Sequence, residues 1–159
     1  EGPMATEGKT ANFASTGGWT LAKGEVMDHY AAHELIILTP AQQKLVEEVS
    51  KNVYRPCCNN PTHFPDCNHG MAMLGLLELG ASQGLGEDDL YRLALAANSF
   101  WFPDTYLTIA EYLKQNGQSW VIVDPKKLVG KEYSSGTGFA NIRSQVVKVE
   151  RGLGSSCGV

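Results

Sequence analysis

The chain has 159 residues, of which 43% are hydrophobic, and its formal net charge is -4 with a pI near 5.5. This length fits one domain, and the apolar content is sufficient for a real core, so disorder is not expected. The acidic balance excludes a broad basic face, and we therefore expect neither nucleic acid nor an anionic membrane surface as a partner. The longest strongly apolar run, residues 71–79, is shorter than the ~20 residues that span a bilayer, so no membrane span is predicted.

Three regions are predicted from composition. Residues 1–24 are rich in Gly, Thr, Ser and Ala and are predicted to form an N-terminal arm, which could dock through Phe13 and Trp19. Residues 25–151 are predicted to form a single helical domain. Residues 152–159 form a Gly/Ser tail that carries Cys157, and this tail is expected to be tied to the central site through that cysteine.

An exported protein is expected. The chain begins at Glu1 without an initiator methionine or a signal peptide, so it is either a processed mature chain or the remnant of a recombinant chain, and processing would mean export. Four cysteines are also an even number, as two disulfides in an oxidising compartment would require. The predicted location is therefore extracytoplasmic, either periplasmic or secreted.

The periodicity of apolar residues predicts an all-α fold, a small bundle of five or six helices. The segment at about 68–83 is apolar on nearly every face, so it is expected to be the central buried helix, with Asn68 as its cap. Gly75 and Gly80 would let a neighbour approach this helix closely. Capping residues and periodicity predict the other helices in residues 39–54, 87–101, 103–117 and 139–149, with a helical turn in 125–130. The one strand-like run, residues 120–123, is predicted to be an extended connector.

The chemistry of the chain is concentrated in residues 57–69. This segment holds three of the four cysteines and two of the four histidines, and prolines restrict its backbone. Thiolates and imidazoles are ligands for soft transition metals, which predicts a copper or zinc ion and a role in metal handling or redox chemistry. The candidate ligands are Cys57, Cys58, Cys67, His69, Cys157 and His63. Met71 and Met73 follow His69, and thioether donors would favour copper(I), although core packing is the alternative for both.

Two other functions compete with metal binding. Two ordinary disulfides would make the protein a structural or interaction subunit without a metal, whose protein partner could contact the aromatic residues 100–102. Alternatively, Cys67 precedes a predicted helix N-terminus that would lower its pKa, as in a thiol-disulfide oxidoreductase, with Cys157 as a resolving thiol. The sequence contains no other catalytic motif, and we expect no catalytic residues or organic cofactor.

His29 and His33 form a second candidate pair. On a helix they would lie on one face at i and i+4, a spacing that suits a metal. The alternative is a solvated polar face that leads into the apolar run at residues 35–38.

The segment from Leu45 to about Trp101 has the order helix, cysteine pair after an arginine, short loop, helix, and then a glycine with an acidic helix start. In this order it resembles the small helical thiol-reductase component of bacterial cytochrome c maturation. The resemblance implies a three-helix topology and an exported location. That family carries a Cys-x-x-Cys motif and acts on apocytochrome thiols, whereas Cys57 and Cys58 are adjacent here.

Overall fold

The computed structural model describes residues 3–5, 9–18 and 21–146. The tail at 152–159, with the predicted role of Cys157, lies outside the described residues, as do Trp19 and Val149.

The described chain is all-α, which confirms the predicted fold class. Three short helical turns come first, at Thr10–Asn12, Ala14–Gly18 and Val26–His29. Seven α-helices follow, which are α1 (Pro40–Asn52), α2 (Asn68–Ser82), α3 (Glu87–Trp101), α4 (Pro103–Gln115), α5 (Pro125–Leu128), α6 (Lys131–Ser134) and α7 (Gly136–Gln145). Five of them are longer than one turn, so the predicted number of helices is confirmed as well.

Local sequence explains where several helices begin. Thr39 and Gln42 form a reciprocal capping box at the start of α1, with Pro40 at the first helical position. Acidic residues 87–89 occupy the first turn of α3, where their charge opposes the helix dipole favourably. The start of α4 has no side-chain cap, and Pro103 supplies the preset backbone angle instead.

Two apolar clusters hold these helices together. The first joins α1, α2 and α3, with the buried side chains Val46, Val49, Val53, Met73, Leu77, Leu90, Tyr91 and Val129. The second joins α4 with the short helices and α7, through Tyr106, Ile109, Leu113, Leu128, Tyr133 and Ile142. Leu95 packs against both clusters, so α3 links the two halves of the core.

Helix α2 packs against α1, α3 and the turn at Ala14–Gly18, as expected of a central helix. Close packing at Gly80 is confirmed, because a Cβ there would lie 2.8 Å from a Leu90 methyl group. The same prediction for Gly75 is wrong, since nothing lies within 4 Å of a Cβ at that position. Between the N-terminal segment and the outer face of α1 and α2 runs a groove of about 1270 Å³, lined in part by Met71, Leu74 and Glu78.

Three local predictions need correction. The residue that caps α2 is Cys67, and Asn68 is the first residue of the helix. No long helix carries His29 and His33, because the turn at Val26–His29 ends there and Ala31 takes a left-handed φ of 52°. Residues 120–123 form a turn closed by a hydrogen bond from Ile122 N to Ser119 O rather than an extended connector.

In the described ranges, no helix combines the length and apolar character that would be needed to cross a bilayer.

Candidate metal centre

The cysteine loop connects α1 to α2 and folds back on itself. Thr62 N donates to Val53 O at 2.7 Å, and Tyr54 pairs with Pro61 in an isolated antiparallel bridge. The chain between these contacts therefore forms a closed loop, which returns Cys67 to the side of the cysteine pair. The loop is also attached to α7, because Gly136 N donates to Cys58 O at 2.8 Å.

Three sulfur atoms meet at the mouth of this loop. The Cys57 and Cys58 Sγ atoms are 3.2 Å apart, Cys58 and Cys67 Sγ are 3.4 Å apart, and Cys57 and Cys67 Sγ are 3.9 Å apart. His69, the second residue of α2, has its Nδ1 atom 3.9 Å from Cys57 Sγ. The structure therefore brings together four of the six predicted ligands.

Two groups of ligand atoms have mutual distances within 4.8 Å. One consists of Cys57, Cys67 and His69, and the other consists of Cys58, Asp66 and Cys67. Cys67 belongs to both and is therefore at the centre of the cluster. Cys57 and His69 are exposed, whereas Cys58 and Cys67 are partly buried, so the cluster is open to solvent on one side.

Cys67 accepts hydrogen bonds that stabilise its thiolate. Cys57 is the largest contributor, and Gly70 N donates to Cys67 Sγ at 3.3 Å as the capping bond of α2. With the nearby positive charge of Arg55, these contacts outweigh the effect of burial and lower the pKa of Cys67 to about 4.

The other two thiols hold their protons more strongly. The hydrogen bond to Cys67 and then burial raise the pKa of Cys57, because the proton is shared with the Cys67 thiolate. Burial is the largest cause that raises the pKa of Cys58. Without a metal, the cluster therefore holds one thiolate and two thiols that donate toward it.

A buried arginine lies beneath the cluster. Arg55 has no exposed surface, and its Nη2 forms an ion pair with Asp66 Oδ1 at 3.1 Å. Asn60 donates to the other carboxylate oxygen at 2.7 Å. Gly70 leaves room for the guanidinium, since a Cβ there would lie 2.8 Å from Arg55 Cζ. Arg55 Nε and Nη1 have no hydrogen-bond partner within the described part of the chain.

Aromatic side chains hold the imidazole of His69. Its ring centroid is 4.8 Å from that of Phe102 and 5.7 Å from that of Trp101. The aromatic segment predicted as a partner-binding patch is thus divided. Trp101 and Phe102 pack against the core clusters, and Phe100 alone is 85% exposed.

The other sequence candidates lie elsewhere. His63 lines the groove, and its backbone N donates to Ser50 O at 3.0 Å. Met73 is fully buried in the first core cluster, whereas Met71 lines the groove. His29 Nδ1 and His33 Nε2 contact each other at 2.8 Å, but among the described residues no third ligand atom joins them.

Sequence reasoning missed the roles of Arg55 and Gly70. An arginine directly before Pro56 and Cys57 was visible in the sequence, but its burial depends on Asp66 and on the glycine of the following helix. Asp66 pairs with both Arg55 and Asn60.

The three described cysteines are not in disulfides, and their sulfur separations are well above the ~2.05 Å of an S–S bond. No protein family model matches the chain, and neither curated proteins nor solved structures include a significant match. The resemblance to the thiol-reductase component therefore stays a prediction.

Proposed function

We propose that this protein binds a soft transition metal ion, zinc or copper(I), through Cys57, Cys58, Cys67 and His69. The observation that carries the proposal is the cluster of three sulfurs, with separations of 3.2 to 3.9 Å, and the imidazole nitrogen 3.9 Å from one of them. Thiolate sulfur and imidazole nitrogen are the donors that these metals prefer.

The spacing of the sulfurs supports this proposal. With Zn–S bonds of about 2.3 Å and tetrahedral angles, two ligand sulfurs lie about 3.8 Å apart. The observed separations lie on both sides of that value, so a metal could be accommodated by small rotations about the cysteine χ1 angles. The restricted backbone of the loop limits larger changes.

The donor set bears on the choice of metal. The sequence argument for copper(I) depended on thioether donors, but Met73 is buried in the core and Met71 lines the groove. Without them the set is three thiolates and one imidazole, a combination found in tetrahedral zinc sites. The same soft donors also bind copper(I), so zinc and copper(I) are both tested below.

The exposure of the cluster supports a role in metal handling. Cys57 and His69 are both exposed, so a bound ion would be reached easily by a competing thiolate from a protein partner. The neighbouring Arg55 is paired with Asp66, so its positive charge offsets only part of the negative charge of the thiolates.

Titration of the fully reduced protein tests this function. Zinc and copper(I) would be added in competition with a chromophoric chelator, and we expect one metal ion per chain. The Cys58→Ser, Cys67→Ser double variant should lose this binding, whereas His63→Ala should retain it because His63 lies in the groove. Equal affinity of the wild type and the double variant would refute the proposal and favour the structural or interaction subunit.

A second candidate function is thiol-disulfide exchange, favoured by the low pKa of Cys67 and by the Cys58 sulfur 3.4 Å away. The Cys67 thiolate would attack a substrate disulfide and release one substrate thiol. Cys58 would then attack the mixed disulfide, releasing the second thiol and leaving a Cys58–Cys67 disulfide, which an external thiol must reduce. Thiol-dependent reduction of a model disulfide, lost in Cys67→Ser, would support this function.

The extracytoplasmic location and the protein partner stay predictions. Mass analysis of cysteine oxidation in the protein isolated from its native source would test the location.

A further inference from the structure

The three sulfurs of the cluster form a triangle that is tighter than a tetrahedral zinc ion requires. Two of its sides, 3.2 and 3.4 Å, are shorter than the about 3.8 Å of a tetrahedral zinc site. A centre whose ligand angles are smaller than tetrahedral would fit these two sides better.

The fourth donor lies to one side of the triangle. His69 Nδ1 belongs with Cys57 and Cys67, whereas near Cys58 the additional group is the Asp66 carboxylate. That carboxylate is already engaged by Arg55 and Asn60. Among the residues that the structure describes, the three sulfurs are therefore the only donors that are all close to one another, which suits a three-coordinate centre.

Charge leads to the same type of centre. Three thiolates around a zinc ion carry one net negative charge, and around copper(I) they carry two. Arg55 is already paired with Asp66 and cannot fully neutralise this charge. A trivalent centre would give a neutral complex, which a partly buried site accepts at the lowest desolvation cost.

We propose that Cys57, Cys58 and Cys67 bind a trivalent arsenic or antimony oxyacid, with arsenite as the probe. Arsenic in this state is soft and pyramidal, and its lone pair takes the place of a fourth ligand. Three As–O bonds break and three As–S bonds form, while the protons of Cys57 and Cys58 and one proton from solvent leave with the three hydroxyl groups as water. No oxidation or reduction occurs. The inference rests on the proposed function, since the same three thiols are the ligands.

Arsenite titration of the reduced full chain, followed by native mass spectrometry, tests the proposal. We expect a mass gain of one arsenic less three hydrogens, with only one cysteine left for alkylation. Cys157→Ser is the matched control, because it removes the fourth cysteine and should leave the complex intact. The single variants Cys57→Ser, Cys58→Ser and Cys67→Ser should each weaken arsenite binding by on the order of tenfold or more. Loss of a residue that only supports a ligand lowers affinity by about that factor, and loss of a ligand itself should lower it at least as much.

His69→Ala distinguishes this proposal from metal binding. The variant should bind zinc on the order of tenfold more weakly and bind arsenite as the wild type does. Circular dichroism would verify that each variant remains helical. Binding of zinc but not arsenite by the wild type would overturn this inference and leave the proposed function standing. Binding of arsenite but not of zinc or copper(I) would do the reverse. Arsenite held by only two thiols, or weakened equally by His69→Ala, would also overturn it.

Discussion

At the scale of single residues, the protonation of the thiols controls what the cluster can bind. The pKa of Cys67 is lowered to about 4, whereas the pKa values of Cys57 and Cys58 are raised. A metal that binds all three sulfurs must therefore displace two protons near neutral pH. We expect the zinc affinity to rise with pH, by up to about 100-fold per pH unit for two released protons.

Competition with a chelator between about pH 5.5 and pH 7.5 would measure this slope. In the Cys57→Ser variant only the Cys58 thiol has a proton to release, so the zinc affinity of this variant should rise less steeply with pH. An affinity that stays constant or falls as the pH rises would contradict the assigned protonation of the cluster.

Gly70 is a second residue whose role, the close packing of α2 against Arg55, can be tested by a single substitution. A Cβ at this position would lie 2.8 Å from Arg55 Cζ and Nη2, and 3.0 Å from Pro65 Cα. Arg55 is fully buried and cannot move into solvent without breaking its ion pair with Asp66. We expect Gly70→Ala to lower the free energy of unfolding by about 1–3 kcal/mol, the usual cost of overpacking.

Gly75→Ala is the matched control, because it lies on the same helix with open space around it. That substitution should be neutral or stabilising by up to about 1 kcal/mol through helix propensity. Urea denaturation of the two variants would measure the difference. If both variants were equally stable, the close packing of Arg55 against α2 would be wrong.

At the scale of the elements, Cys67 has two roles that can be separated. It caps α2 by accepting from Gly70 N, and it is also a candidate metal ligand. Serine is a good N-cap but a poor ligand for a soft metal, whereas alanine is neither. We expect Cys67→Ser and Cys67→Ala to lose metal binding alike, with Cys67→Ala less stable by about 0.5–2 kcal/mol without metal. Equal stability of the two metal-free variants in urea denaturation would argue against the cap.

The helices themselves were largely predictable, because their signals are local. The capping box at Thr39 and the acids at the start of α3 act within one turn of chain. The cap of α2 was misassigned to Asn68 because a side-chain amide is the commoner cap, whereas the adjacent sulfur makes the bond. His29 and His33 do not share a helix, and their rings contact each other beyond the short turn at Val26–His29.

The candidate site was predictable in composition but not in geometry. Three cysteines and a histidine within thirteen residues indicated a cluster, and the structure brings these four side chains together. Sequence spacing favours His69, which is two residues from Cys67, over His63, which is four residues from it, but spacing alone does not determine which imidazole reaches the sulfurs. The direction of the loop decides it, and this direction depends on the Tyr54–Pro61 bridge and on the contact of Cys58 O with α7.

At the scale of the whole molecule, a metal in this cluster would stabilise the fold beyond the loop. The loop joins α1 to α2 within the first core cluster, and through Cys58 O and Asn59 it also contacts the start of α7. Metal bound only to the folded chain adds about 2.7 kcal/mol to the free energy of unfolding when its free concentration is 100 times the dissociation constant.

We therefore expect zinc to raise the thermal unfolding midpoint of the entire domain in one cooperative transition. For a chain of this size the expected shift is about 2–4 °C per kcal/mol added to the free energy of unfolding. Far-ultraviolet circular dichroism follows all the helices, and tryptophan fluorescence, to which Trp120 in the second half of the core contributes, should report the same shift. The Cys58→Ser, Cys67→Ser variant is the control and should show no shift. A zinc-induced shift confined to one spectroscopic probe would mean that the loop binds metal without coupling to the helical body.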